Sequence, residues 1–169
     1  MYPKFLPDYY YQDIYSIDFV ELKERGIRGL LFDLDNTICA YTDPDPTRRI
    51  IQFFQGLEDQ GFTVALVSNN SRQRVERFNR PLGLPIFPRA HKPLLHGIRR
   101  MMRQIGLKPE HTALIGDQVY TDVWGGNRAG LTTVLVYPVK NQETPFFRMK
   151  RRMEQPVLSR LSHGRQNHK

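Results

Sequence analysis

Short apolar runs recur along the chain, separated by stretches of amphipathic character. Four stand out: Gly29-Leu30-Leu31-Phe32, Phe62-Thr63-Val64-Ala65-Leu66-Val67, Thr112-Ala113-Leu114-Ile115 and Thr132-Thr133-Val134-Leu135-Val136. Their apolarity is continuous, not alternating, which predicts strands covered on both faces, as in a parallel sheet. A weaker fifth strand is expected at residues 84–87, crowded by Pro85 and Pro88. Between the runs the period changes to that of a helix. Asp45-Pro46-Thr47 reads as an N-cap followed by proline at the first helical position. Ile50, Phe53, Phe54 and Leu57 then recur at helical spacing, with Gly61 as the stop. Ser71 is expected to cap a shorter helix through Val75 and Phe78. Pro93 is expected to open a longer one, with Leu94, Leu95, Ile98, Met101, Met102 and Ile105 on its inner side and Gly106 at its end. Residues 121–129 form a last short helix closed by Gly130. The alternation of strand and helix predicts a doubly wound, Rossmann-like α/β fold with a mostly parallel sheet and right-handed crossovers.

Composition agrees with this picture. The 169 residues suit one domain, and 40% apolar content suits a globular one. No stretch reaches the roughly 18 consecutive apolar residues that a membrane span needs. The N-terminus lacks the apolar core and small-residue cleavage pattern of a signal peptide. A single cysteine, Cys39, excludes an internal disulfide and fits a reducing compartment, so the cytoplasm is the expected location. The net charge of +8 is unevenly placed. Residues 148–169 carry seven Lys/Arg against one acid, Glu154, and residues 89–108 carry six with no acid. Such fields favour anionic partners: phosphorylated substrates, anionic lipid surfaces or nucleic acid. A solvated helix face and a free tail would read the same way. Residues 1–145 are expected to form one domain with an aromatic N-terminal segment, and 146–169 a basic, partly flexible extension.

In a parallel α/β sheet, ligands bind beyond the carboxyl ends of the strands. Four polar groups fall there. Asp33-Leu34-Asp35-Asn36-Thr37 follows the first run and Ser68-Asn69-Asn70 the second. His91-Lys92-Pro93 precedes the long helix, and Gly116-Asp117-Gln118 follows the third main run, with Asp122 five residues after Asp117. The set offers hard carboxylate ligands that suit Mg²⁺. It also offers lysine, serine and backbone amides that suit phosphoryl oxygens.

At these residues the sequence resembles the haloacid-dehalogenase-like (HAD) superfamily of aspartyl phosphatases. Two aspartates one residue apart and a threonine two further on match Asp33, Asp35 and Thr37. Ser68, Lys92, and Gly116-Asp117 with Asp122 match the later motifs in order, over roughly residues 28–137. The string Gly116-Asp117-Gln118…Thr121-Asp122…Gly125-Gly126-Asn127-Arg128-Ala129-Gly130 resembles the YqeG-type branch of subfamily IIIA, related to mitochondrial phosphatidylglycerophosphate phosphatases. The resemblance implies that Asp33 attacks phosphorus and that Asp35 protonates the leaving oxygen and then activates water. It implies Mg²⁺ at Asp33, Asp35 (through its backbone carbonyl) and Asp117, with Asp122 positioning Lys92 or a metal-bound water. It also implies a phosphate cradle from Ser68 and Lys92, with Thr37 and Asn69 beside it.

Each residue also has an ordinary structural reading. Asp33 and Asp35 could form a turn, Ser68 could cap a helix, Lys92 could be a surface cation, and Asp122 a first-turn helix acid. Cys39 is read as a packed thiol, His91 as making a local polar contact, Trp124 as helix packing, and His163 and His168 as tail residues. The intervals from Asp35 to Ser68 and from Ser68 to Lys92 leave no room for a cap domain, so the site should be open. An open site suits a phosphate on a large carrier, such as a lipid headgroup. Residues 1–19 hold seven aromatics, Tyr2, Phe5, Tyr9, Tyr10, Tyr11, Tyr15 and Phe19, and residues 146–152 mix apolar and basic groups. These fit either an anionic membrane interface or packing across the sheet. The leading expectation is a Mg²⁺-dependent phosphatidylglycerophosphate phosphatase, peripheral on the inner face of the membrane. The alternatives are a phosphatase of a soluble metabolite or nucleic-acid end, and a non-catalytic phosphate-binding regulator.

Overall fold

A computed structural model of the chain describes residues 3–139 together with Arg152, Glu154 and Ser159. The strands are β1 (Tyr9–Tyr11), β2 (Gly29–Phe32), β3 (Thr63–Val67), β4 (Ile86–Phe87), β5 (Thr112–Gly116) and β6 (Thr132–Val136). The helices are α1 (Phe19–Glu24), α2 (Arg48–Asp59), α3 (Arg72–Asn79), α4 (Leu95–Ile105) and α5 (Trp124–Ala129). The strands form one sheet in the order β1-β6-β5-β2-β3-β4, and every pairing is parallel. The expected fold class is therefore what the chain adopts. From β2 the chain steps outward to β3 and β4, then crosses back to β5 on the other side of β2. The carboxyl ends of β2 and β5 thus flank a topological switch point, where a crevice must open.

Alternate residues of each strand feed opposite faces. Leu30, Phe32, Val64, Leu66, Ala113 and Ile115 pack with Ile50, Phe54 and Leu57 of α2 and Val75 and Phe78 of α3. Leu31, Ala65, Val67 and Leu114 face the other way, onto Ile98, Met101 and Met102 of α4. Burial on both faces explains why these strands read as unbroken apolar runs. Gly126 lets α5 lie directly on the sheet, because a Cβ there would come 2.5 Å from the Thr133 methyl.

Several local expectations are corrected. Thr47, not Asp45, caps α2, through its hydroxyl accepting from the Ile50 N–H at 3.3 Å. The Asp45 carboxylate is held instead by Arg77, at 2.8 and 2.9 Å. The long helix begins at Leu95 rather than Pro93, and Leu94 is 60% exposed rather than on the inner side. The segment expected as a helix from residue 121 starts instead as a wide π turn, Val119–Val123, before α5. Strand β1 was not expected. Its three tyrosines carry no apolar run, yet they pair with Val134, Leu135 and Val136 at the sheet edge. Tyr9, Tyr11, Tyr15 and Phe19 pack on the first core face, and Phe5 and Tyr10 pack near Val119, Val123 and Leu135. Of the two readings of these aromatics, packing is the one seen. The basic and apolar segment at 146–152, apart from the exposed Arg152, lies outside the described residues, as do the 145/146 boundary, Tyr2, His163 and His168. Among the described residues no helix is long and apolar enough to cross a membrane.

Two glycines make opposed predictions. Gly126→Ala should lower stability to urea by roughly 1–3 kcal/mol, through overpacking against Thr133. Gly56, in the middle of α2, meets nothing within 4 Å of an added Cβ. Gly56→Ala should therefore raise stability by about 0.5–1 kcal/mol.

Candidate active site

The parallel register sets the site before any side chain is considered. Phe32 lies opposite Leu66 on β3 and Ile115 on β5, so Asp33 is level with Val67 and Gly116, and Ser68 and Asp117 follow one residue later. The Asp33 N–H donates to the Ile115 carbonyl at 2.9 Å and extends the ladder by one step. Asp33, Ser68 and Asp117 therefore reach one crevice, and the loop before α4 adds Lys92. The crevice is an open cavity of about 370 Å³ lined by Asp33, Asp35, Asn36, Ser68, Lys92 and Gln118, with Tyr41, 57% exposed, among its other lining residues.

Lys92 is the electrostatic centre. Its ammonium lies 2.7 Å from Asp33 Oδ1 and 2.6 Å from Asp122 Oδ1, with its side chain 1% exposed. Its backbone is clamped by Asn69, whose side-chain oxygen accepts from the Lys92 N–H at 2.6 Å and whose amide donates to the Lys92 carbonyl at 3.0 Å. Burial opposes the ammonium charge, but Asp122 and Asp33 more than offset it and hold its pKa above the usual lysine range. Burial pushes the Asp33 carboxyl up to about 6, against the pull of Lys92 and with a further push from Asp122.

Asp33, Asp117 and Asp122 are all buried, and one oxygen of each lies within 4.8 Å of the others. Thr37 Oγ1 sits 3.4 Å from Asp33 Oδ2 and 3.3 Å from Asp117 Oδ1, and shares its one proton between them. Asp122 Oδ2 accepts from the Gln118 N–H at 3.2 Å. A Cβ on Gly116 would land on the Asp122 carboxylate, so the glycine is what admits that side chain. Three carboxylates against one ammonium leave the cluster short of positive charge. An all-oxygen donor set of this kind fits a hard divalent cation.

The other expected residues divide by what they touch. Ser68 Oγ accepts from the Asn70 N–H at 3.1 Å, leaving its hydroxyl proton for the cavity, while Ser71 caps α3. Thr37 and Asn69, expected beside the phosphate, spend their side chains on the carboxylates and on the Lys92 backbone. The Asp35 carboxylate is held by partners outside the acidic trio. Asn70 donates to it at 2.7 Å, and Arg74 donates from Nη2 at 3.1 Å. The metal contact expected of Asp35 is through its backbone carbonyl and places no demand on this carboxylate. His91 is exposed, and its carbonyl accepts from the Leu94 N–H at 2.9 Å. Cys39 is a buried thiol beside Arg74 Nη2 at 3.4 Å, and Trp124 packs on Phe5.

Three contributors were not foreseen. Arg74 joins Asp35 to the Pro44 carbonyl and Cys39 of the preceding loop. Only its place one turn into the helix after Ser68 hinted at this. Asn70 was visible in the Ser68-Asn69-Asn70 string, without a sign that it rather than Asn69 reaches Asp35. Glu154, 3% exposed, accepts from the Val119 N–H at 3.1 Å and so fixes the π turn between Asp117 and Asp122. Nothing local in the sequence marks it out from a basic tail. The non-glycine residues with positive φ among those described, Asn36 (65°), Arg89 (49°) and His91 (53°), all lie in the crevice or in the loop leading to Lys92. Strained backbone commonly gathers at functional sites.

The comparisons agree with this geometry. Residues 90–153 match the family model described as HAD-hydrolase-like. The chain is 41% identical to a Bacillus subtilis protein named Probable phosphatase YqeG, over 93% of this chain and 91% of that protein. It is 28% identical to the Arabidopsis thaliana phosphatidylglycerophosphate phosphatase 1, chloroplastic/mitochondrial, over 92% of this chain and 47% of that protein. Among solved structures, the 3-deoxy-D-manno-octulosonate 8-phosphate phosphatase of Moraxella catarrhalis, crystallised with magnesium, phosphate and KDO, superposes with a TM-score of 0.53. At 17% identity, covering 72% of this chain and 76% of that one, it shows a shared fold.

Two outcomes are expected here. Lys92→Ala should destabilise the protein at pH 7 by roughly 3–5 kcal/mol, because it strands buried carboxylates. Without the ammonium those carboxyls bind protons more tightly folded than unfolded, so stability should recover as pH falls from 7 toward 5. Urea melts at both pH values check this. Burial pushes the Cys39 thiol up to about 12, against the pull of Arg74. Native protein should therefore resist alkylation at pH 8 and label rapidly once unfolded.

Proposed function

Because this chain belongs to the HAD-like hydrolases, in their YqeG-type branch, we propose that it is a Mg²⁺-dependent phosphomonoesterase that works through Asp33. The observation that carries the reading is the buried group of Asp33, Asp117 and Asp122 around the single ammonium of Lys92. Asp33, Asp117 and Asp122 would hold the cation, which when bound supplies the missing positive charge and draws electron density from the phosphoryl group. Asp33 Oδ attacks phosphorus and the ester P–O bond breaks, giving an aspartyl-phosphate and an alcohol. Asp35 gives its proton to the departing oxygen, then takes one from the water that cleaves the intermediate and releases phosphate. Lys92 and the Ser68 hydroxyl hold the phosphoryl oxygens, and Thr37 and Asn69 keep the carboxylates and Lys92 in place. With the transferring group so fixed, positioning and charge do most of the work.

For the substrate we propose phosphatidylglycerophosphate. Support comes from the plant and algal relatives of that name and from a mouth that no inserted domain covers. In this reading the protein meets its substrate at the cytoplasmic face of the membrane, and the basic residues favour the anionic surface.

Phosphate release from phosphatidylglycerophosphate in mixed micelles tests both halves. Asp33→Asn should reduce turnover by roughly a thousandfold or more, as expected on loss of a covalent nucleophile. Chelation should abolish activity and added Mg²⁺ should restore it. Undiminished turnover in Asp33→Asn defeats the mechanism. Rapid cleavage of a small soluble ester, with the lipid left untouched, defeats only the substrate assignment.

A further inference from the structure

Beside the catalytic crevice lies a second, wider groove of about 800 Å³. It is lined by Arg72, Arg77, Arg80 and Arg89 together with Asp45 and Glu76, and by Ser71, Gln73 and Pro81. Four guanidinium groups face two carboxylates. Glu76 pairs with Arg72 at 3.0 Å and Asp45 with Arg77 at 2.8 Å, both exposed. Among the described residues no carboxylate lies within ion-pair distance of Arg80 or Arg89. Exposed pairs of the Arg72 and Arg77 kind add little and open readily. The groove is therefore a cationic surface in which two of the four guanidinium groups stand outside any ion pair.

Its position relative to the chemistry gives this charge a direction. The two linings are consecutive in the chain, since Asn70 lines the first cavity and Ser71 the second. Arg89, held at φ 49°, donates its N–H to the Asn70 carbonyl at 2.9 Å, so it is tied to the wall of the catalytic crevice. Asp35, which protonates the departing oxygen, marks the side from which the alcohol leaves. Its carboxylate is held by Asn70 and Arg74. Ser71, Arg72 and Gln73, which line the groove, lie between those two residues in the chain. The groove and the Asp35 side of the crevice thus share one stretch of chain, residues 70–74.

We propose that this groove is a second anion subsite that holds another phosphate, carried on the leaving alcohol of the substrate. The inference rests on the phosphatase reading above and adds a selection rule to it. The site prefers a phosphomonoester that bears a second phosphate over a plain monoester. Guanidinium groups suit this task because their donors match phosphate oxygens in pairs.

Steady-state kinetics on the purified full chain test the rule. Three substrates are compared: glycerol phosphate, a soluble diol carrying two phosphates, and a short-chain, water-soluble phosphatidylglycerophosphate. The double variant Arg80→Gln/Arg89→Gln should raise KM for a two-phosphate substrate roughly tenfold, the scale of one lost charge-assisted contact. It should leave kcat, and both constants for glycerol phosphate, nearly unchanged. Arg89→Lys, paired with native Arg80, should recover most of the loss, and added salt should narrow the gap between substrates. A KM effect on the lipid compound alone identifies a lipid diester as the second anion, and an effect on both compounds identifies phosphate from either source. Unchanged KM for both, or an equal rise for glycerol phosphate, overturns the subsite. If the native chain cleaves none of the three, the phosphatase reading falls and the subsite falls with it.

Discussion

The site depends on one ammonium group held in a nearly dry place. Lys92 is buried to 1% exposure of its side chain and lies within 2.7 Å of two carboxylates. An isolated buried charge is costly, and an uncompensated pair of buried carboxylates more so. Each charge is tolerable only because the other is there. Much of the surrounding structure maintains that balance. Asn69 holds the Lys92 backbone at both polar ends, Gly116 leaves the space that Asp122 occupies, and Gln118 and Thr121 donate to the Asp122 oxygen that Lys92 does not reach. The same arithmetic leaves the acidic trio short of positive charge. This is the physical reason to place a divalent cation there, independent of any likeness to other proteins.

The sheet makes this arrangement possible without long loops. With β2 and β5 adjacent and parallel, Asp33 and Asp117 leave the sheet at neighbouring points, each one residue beyond the end of its strand. The π turn that follows keeps Asp122 within reach of Lys92. The turn is in turn held by a hydrogen bond from Val119 to Glu154, a residue far along the chain. Wide turns of this type often occur where a side chain must be aimed.

The framework was legible because burial on both faces leaves a strong trace. β2, β3, β5 and β6 read as unbroken apolar runs, and α2, α3 and α4 as amphipathic repeats between them. β1 left no such trace, since three tyrosines with half-wet rings satisfy neither the alternating nor the continuous pattern. The cap of α2 was misplaced because Asp45 and Thr47 are both good cap residues, and only the ion pair with Arg77 decides between them. Asp33, Ser68, Lys92, Asp117 and Asp122 could be named because they stand at strand ends or at helix entries. Arg74 and Glu154 could not, because each acts through a partner far away in sequence, and no spacing rule encodes such contacts. The division of labour between Asn69 and Asn70 likewise depends on backbone direction in a short turn.

A sheet in which every strand runs the same way has two unlike rims. One carries the crevice with Asp33, Ser68, Lys92 and Asp117. The other, at the amino ends of the strands, is made of reversals such as those at Gly61 and Gly106, whose positive φ of 87° and 69° suits glycine. That quieter rim is the natural handle of the molecule. A dye, a surface tether or a fused reporter attached there would stand a full strand length from the chemistry, leaving the working mouth free to face whatever it is offered.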